Sequence, residues 1–238
     1  MKSAKIIESK VLELKDRISR LAPNNGQGRF NMDSKNYFKE VANQWDMMRQ
    51  EFFSEAVREK AYEIAEVKDG QLAADIGAGT GFVTEGLLQK GLKVIAVDQS
   101  DEMLDQMKQK FKDFEGVEYL RGEAEHLPIE DDTVDYAMAN MYLHHVDDPL
   151  VAIKEMVRIL KPGGKIAITD LDEHNHEFLK LEHHDRWMGF KRNDVEHWFL
   201  AAGMKNVAID CAGGDCCASS SCGGDNASIS IFIAYGEK

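Results

Sequence analysis

The chain has 238 residues and a formal net charge of −13, enough for one substantial α/β core plus an appendage. The negative balance argues against a broad electrostatic footprint on DNA or RNA, which makes nucleic acid an unfavoured partner without excluding a local basic patch. No stretch approaches the roughly 20 apolar residues of a membrane span, and the opening segment MKSAKIIESKVLELK lacks the apolar centre of a secretory signal, so the expected location is cytoplasmic.

Taken in chain order, Ile7, Val11, Leu14, Ile18 and Leu21 recur at helical spacing and predict a helix over 3–21. Pro23-Asn24-Asn25-Gly26-Gln27-Gly28 breaks it. A second helical region is expected over about 34–66, burying Tyr37, Phe38, Val41, Trp45, Phe52, Phe53 and Ala56. These segments form an amino-terminal helical cap, 1–66, ahead of a core at 67–238.

From residue 72 strands and helices alternate: strand 72–76, helix 81–90, strand 93–97, helix 101–114, strand 117–121, strand 134–139, helix 149–161, strand 165–170, helix 194–202 and closing strands at 205–211 and 227–235. Ser100 should cap one helix and Asp148-Pro149 should start another. Met103, Met107, Phe111 and Phe114 supply the core face of helix 101–114. Alternation of this kind gives a doubly wound, mostly parallel sheet. Gly213 to Asn226 has no helical period and reads as an irregular loop, so the final strand should run antiparallel to its predecessor.

The densest local signal is Asp75-Ile76-Gly77-Ala78-Gly79-Thr80-Gly81, with Asp98 following 17 residues after Gly81. Strand, glycine turn, helix, strand and carboxylate together cradle a nucleoside-bearing cofactor. The glycines allow close backbone approach, and the carboxylate can accept from ribose hydroxyls. Phe82 stands where a dinucleotide fingerprint needs its third glycine, which counts against a nicotinamide cofactor.

The pattern resembles the first motif of class I S-adenosylmethionine-dependent methyltransferases of the small-molecule type. Gly122-Glu123-Ala124-Glu125, His126-Leu127-Pro128, Met141-Tyr142-Leu143-His144-His145-Val146 and Lys161-Pro162-Gly163-Gly164 extend the likeness over about 70–170. The resemblance implies a Rossmann-like α/β sheet with a carboxyl-terminal antiparallel hairpin, and S-adenosylmethionine as cofactor. It implies that Asp75 orients the turn near the amino end of the methionine moiety. Gly77, Ala78, Gly79 and Gly81 would pass close to the ligand, and Asp98 would bind the ribose diol. Gln99 and Met103 would line the adenosine. Glu123, flanked by Ala124 and Glu125, would face the adenine amino group, and Asn140 the methionine end. Trp45 and Asp46 resemble an aromatic-plus-acid segment that folds over the cofactor, although Trp45 reads equally as a core aromatic. His145 is the candidate catalytic, substrate-facing residue.

Two clusters bear on the acceptor. Asp170 to His176 and His183 to Trp187 carry enough imidazoles and carboxylates for a divalent metal. Their spacing matches no ligand signature, so the favoured reading is a polar segment over the active site with no metal. Asp185 to Phe190 also resembles a segment of methyltransferases fused to metalloid-responsive repressors. Cys211, Cys216, Cys217 and Cys222 form the other cluster. A thiophilic site for an arsenite-like acceptor, a structural zinc, a disulfide and idle thiols all stay open. The expected activity is direct in-line methyl transfer to a small molecule. The alternatives are methylation of a thiol-bound metalloid and a non-catalytic protein that senses S-adenosylmethionine.

Overall fold

A computed structural model of the chain describes Asp46, Arg49 and residues 54–182, 185–219 and 226–238. The helix expected over 3–21, most of the region 34–53 with Trp45, and His183, His184 and Cys222 lie outside these residues.

Helix α1 (Glu55–Ala65) leads into β1 (Leu72–Ile76), α2 (Phe82–Gln89), β2 (Lys93–Asp98), α3 (Asp101–Lys110) and β3 (Val117–Arg121). Then follow β4 (Val134–Asn140), a 3₁₀ turn at Leu143–His145, α4 (Pro149–Ile159) and β5 (Leu160–Leu171). The chain closes with α5 (Glu177–Glu182), α6 (Arg192–Ala201), β6 (Lys205–Ser219) and β7 (Asn226–Glu237). The strands form one sheet in the order β3-β2-β1-β4-β5-β7-β6. The pairs among β1 to β5 are parallel, and β7 is antiparallel to both β5 and β6. Strand order reverses between β1 and β4, which opens a crevice at their carboxyl ends. The mostly parallel α/β sheet with an antiparallel close is the architecture the alternation predicts.

Both faces of the sheet are covered, which is why its central strands β1, β4 and β5 are mostly buried and apolar, while the edge strands β3 and β6 carry polar residues. On one face Ile153, Met156, Val195 and Phe199 of α4 and α6 meet Ile76, Val97, Ala139, Ile168 and Phe232. On the other, Val57, Tyr62 and Leu87 of α1 and α2 meet Ala73, Val94, Met138, Ile231 and Ile233. Each fully buried side chain of this size contributes about 1.5–3 kcal/mol. Helix α1, the last segment of the expected cap, is therefore part of the layer that covers the core sheet. No helix among the described residues is long and apolar enough to cross a membrane.

Local chemistry sets the helix starts. Ser100 Oγ accepts from the Met103 amide at 3.2 Å, and Asp148 Oδ1 accepts from Leu150 and Val151 at 3.0 and 3.1 Å. Two expectations are corrected. Helix α3 stops at Lys110, so Phe114 leaves the apolar stripe and is 52% exposed, its ring edge-on to Phe111. The supposed loop from Gly213 is strand instead: β6 runs on to Ser219 and β7 begins at Asn226. A register shift between Cys211 and Asp215 absorbs the glycine pair that hides the strand in the sequence.

Candidate active site

The crevice is built first by the turn after β1. The amides of Gly77 and Ala78 both donate to the Val97 carbonyl, at 2.9 and 3.0 Å. This staples the turn to the end of β2. Gly77 has φ +68, and a Cβ there would fall 2.2 Å from the Tyr142 ring. Gly81, at φ +87, caps α2, and a Cβ on it would lie 2.4 Å from Phe111. Only glycine satisfies both the left-handed backbone and the lack of space.

Two buried carboxylates fix the turn from either side. Asp75 Oδ2 accepts from the Thr84 amide and hydroxyl at 2.9 and 2.7 Å, tying β1 to the first turn of α2. Burial pushes its carboxyl up to about 7, against the pull of those hydrogen bonds. Asp98, ending β2, accepts from Gly79 N on one oxygen (2.8 Å) and from Ser100 N on the other (2.9 Å). Burial raises its carboxyl too, and the amide bonds oppose the shift. A carboxylate oxygen has more than one acceptor direction, so both hold the turn while keeping capacity for a ligand.

The opposite wall comes from the segment after β4. Asn140 Oδ1 accepts from the Thr169 hydroxyl at 2.7 Å, and Met141, at φ +52, donates its amide to the Thr169 carbonyl at 2.8 Å. The chain then turns through Tyr142 and Leu143 to two adjacent histidines, whose rings lie 4.1 Å apart. His144 points inward and is buried. Its Nδ1 lies 2.7 Å from Asp170 Oδ1 and its Nε2 3.8 Å from Asp185 Oδ1. Burial alone would lower its proton affinity, but Asp170 and Asp185 outweigh it and hold the imidazole up at about 9. One ring nitrogen each of His144 and His145 and one Asp185 oxygen lie within 4.8 Å of one another.

The resulting cleft is partly open to solvent and spans about 650 Å³ with that open space included. Of the residues singled out in the sequence, Asp75, Gly77, Ala78, Gly79, Asp98, Gln99, Met103, Asn140 and His145 line it. Gly81 shapes α2 from outside the lining. Ala124 is buried in the core, and Glu125 accepts from the Asp147 amide at 2.7 Å, while Glu123 stands exposed. These last three are not among the lining residues. Arg49, Phe82, Val83, Ser100, Met141 and Tyr142 also line the cavity. Phe82, noted in the sequence only as a missing glycine, carries the guanidinium carbons of Arg49 and Arg58 over its ring at 4.2 and 4.8 Å. Asp46 accepts from the Thr80 hydroxyl at 2.5 Å, which ties Asp46 to the glycine turn.

The cysteines diverge. Cys211 and Cys217 are exposed and Cys216 is buried. Burial, with the Asp185 carboxylate nearby, pushes the Cys216 thiol up to about 12. Among the described residues no three of these sulfurs gather into one coordination site.

Comparison with known proteins agrees with this geometry. Residues 74–168 match the methyltransferase domain family. The chain is 37% identical over 121 residues to a Bacillus subtilis demethylmenaquinone methyltransferase, covering 49% of this chain and 52% of that protein. It is 34% identical over 161 residues to the chloroplastic 2-methyl-6-phytyl-1,4-hydroquinone methyltransferase 1 of Oryza sativa subsp. japonica, covering 66% and 48%. The chain thus spans about half the length of these curated relatives. Among solved structures, an S-adenosylmethionine-dependent methyltransferase from Aquifex aeolicus superposes with a TM-score of 0.61 at 22% identity, over 85% of this chain and 97% of that one. An N-methyltransferase of Haemonchus contortus, in complex with phosphomonomethylethanolamine and S-adenosylhomocysteine, superposes at 0.70 and 16% identity, over 91% and 61%. These two likenesses concern the fold.

Proposed function

Because the chain belongs to the class I S-adenosylmethionine-dependent methyltransferase family, we propose that it moves a methyl group from S-adenosylmethionine to a small-molecule acceptor by direct in-line displacement. One observation carries the reading: Asp98, the glycine turn, Asn140 and His145 face one cavity at the strand-order reversal. Asp98 takes the ribose hydroxyls, and Gln99 and Met103 flank the adenosine. Asp75 and the glycine turn meet the amino-acid end, where a cationic ammonium favours an ionised Asp75.

The transferred carbon leaves a sulfonium, so the cofactor supplies the activation. The protein supplies alignment and exclusion of water. The acceptor lone pair attacks the methyl carbon as the bond to sulfur breaks, leaving a neutral thioether. His145, next in line after Asn140, Met141 and Tyr142 on the same wall, stands where the acceptor would enter. It takes a proton if the acceptor bears one. The quinol-type acceptors named for the relatives make an ionisable hydroxyl on an apolar ring the acceptor to try first, with Tyr142, Met141 and Val83 as its apolar walls. The acidic chain works in the cytoplasm on small molecules rather than on nucleic acid. The raised Cys216 thiol counts against a metalloid held by the cysteines.

Calorimetry with S-adenosylhomocysteine, followed by mass analysis of hydroquinone-type acceptors incubated with S-adenosylmethionine, tests the proposal. Binding with a mass gain of one methyl group is the expected result. Absence of binding overturns it, and binding without product from any acceptor points to a sensing protein.

A further inference from the structure

We propose that His144, His145 and Asp185 hold a borderline-soft divalent cation of the zinc type at the acceptor end of the cavity. The three donors come from two separate segments and converge with one ligand atom each inside 4.8 Å. The set is two imidazoles and one carboxylate, which suits zinc and its first-row neighbours and does not suit magnesium or calcium. Three protein ligands leave one position of a tetrahedral ion open, as in catalytic rather than structural zinc sites.

The geometry around His144 is that of a metal ligand with its outer support in place. Asp170 Oδ1 lies 2.7 Å from Nδ1. Asp170 is itself fixed by the amides of Leu171 at 2.7 Å and His144 at 3.3 Å. A carboxylate on Nδ1 leaves Nε2 aimed outward, where a binding cation displaces its proton, the arrangement that orients a ligating histidine. On that side Asp185 Oδ1 stands at 3.8 Å. This is too long for a hydrogen bond. Two ligands of one tetrahedral zinc, each about 2.0–2.1 Å from it, sit about 3.3 Å apart, so a small closing movement suffices. Asp170 and Asp185 are both buried, 0% and 5% exposed, against one histidine. A dication answers that concentration of negative charge in a dry interior.

His145 lines the cavity, so the open position faces it. With the ion bound, His145 ligates it and no longer serves as the base: an acceptor hydroxyl or thiol at the open position gives up its proton to solvent more readily, and the resulting anion attacks the methyl carbon. That use of the ion rests on the methyltransferase reading; its binding does not.

The test strips the full chain with chelator, dialyses it, and adds zinc, cobalt(II) or magnesium separately. Metal per chain and the melting temperature are read in the absence of any cofactor. One zinc per chain, a raised melting temperature, cobalt d–d absorption of tetrahedral intensity and no response to magnesium are expected. His145→Gln and Asp185→Asn should each lose most of the bound zinc, and Cys211→Ser/Cys217→Ser should keep it. Asp170→Asn should weaken retention by about 10–100-fold. If Asp185→Asn fails to fold, His145→Gln decides, because that side chain is only half-buried. No zinc retained, or zinc retained equally by His145→Gln, overturns the site. Zinc bound without S-adenosylhomocysteine binding would refute the cofactor reading alone, and the reverse would refute the metal alone.

Discussion

The ring of Tyr142 lies over Gly77 so closely that a Cβ at position 77 would stand 2.2 Å from it. Two loops from adjacent parallel strands thus meet across the crevice, and residue 77 has no room to grow. Gly77→Ala should destabilise the fold by on the order of 2–4 kcal/mol, from a left-handed backbone and an overpacked contact. Adding Tyr142→Ala should relieve the contact and leave the backbone strain. Urea midpoints of the single and double variants check this; equal stability of Gly77→Ala and the unsubstituted chain would refute it.

Asp98 should matter twice, once to the turn and once to the ligand. Asp98→Asn presents an amide where Gly79 N or Ser100 N now donates, at a cost of about 1–3 kcal/mol. Its affinity for S-adenosylhomocysteine should fall roughly tenfold or more, the equivalent of about 1.4 kcal/mol. Calorimetry alongside thermal melts separates the two effects. Unchanged affinity in a folded variant would remove Asp98 from the cofactor site.

Asp75 gives stability a pH dependence of definite sign. Its native carboxyl titrates at about 7, because burial outweighs the Thr84 bonds, against an ordinary value of 3.8. Between those values the native state holds a proton that the unfolded state has released. Stability from this group therefore falls as pH rises from about 4 to about 7, by up to about 4 kcal/mol. Asp75→Asn should flatten that part of the profile. Urea titrations at pH 5 and pH 8 on both proteins measure the difference, and an identical pH slope would contradict it.

The thiols should react in a fixed order. Cys211 and Cys217 are exposed, whereas Cys216 is buried with its thiol pushed up to about 12. Thiolate is the reactive form. Iodoacetamide at pH 8 should therefore modify Cys211 and Cys217 well before Cys216. Peptide mass mapping reads the order, and early labelling of Cys216 would show that β6 is not packed as described.

What the sequence reveals here is what neighbouring residues decide. The glycine turn demands left-handed backbone within five residues, and the Ser100 and Asp148 caps act within three, so each is visible in a short window. The likeness of five ordered segments adds the family. Contacts that close over distance leave no such trace. Tyr142 meets Gly77 across β1 and β4, Arg49 and Arg58, both ahead of β1, stack on Phe82, and Asp185 reaches His144 only after β5 and α5 have folded back. Gly213 and Gly214 mislead for a physical reason: glycine marks loops and strand bulges alike, and here they sit in a bulge. Phe114 shows the reverse error, an apolar periodicity that outlasts its helix by one turn.

The placement of β7 governs the order in which the molecule can be completed during synthesis. It lies between β5 and β6, and Phe232 and Ile231 pair with Asp170 and Leu171. A nascent chain on the ribosome can assemble the parallel half early, yet β5 keeps a bare edge until residues 226–237 emerge. The carboxylate that steadies His144 therefore acquires its final setting last, and chaperones would meet a half-built sheet with an open, sticky border.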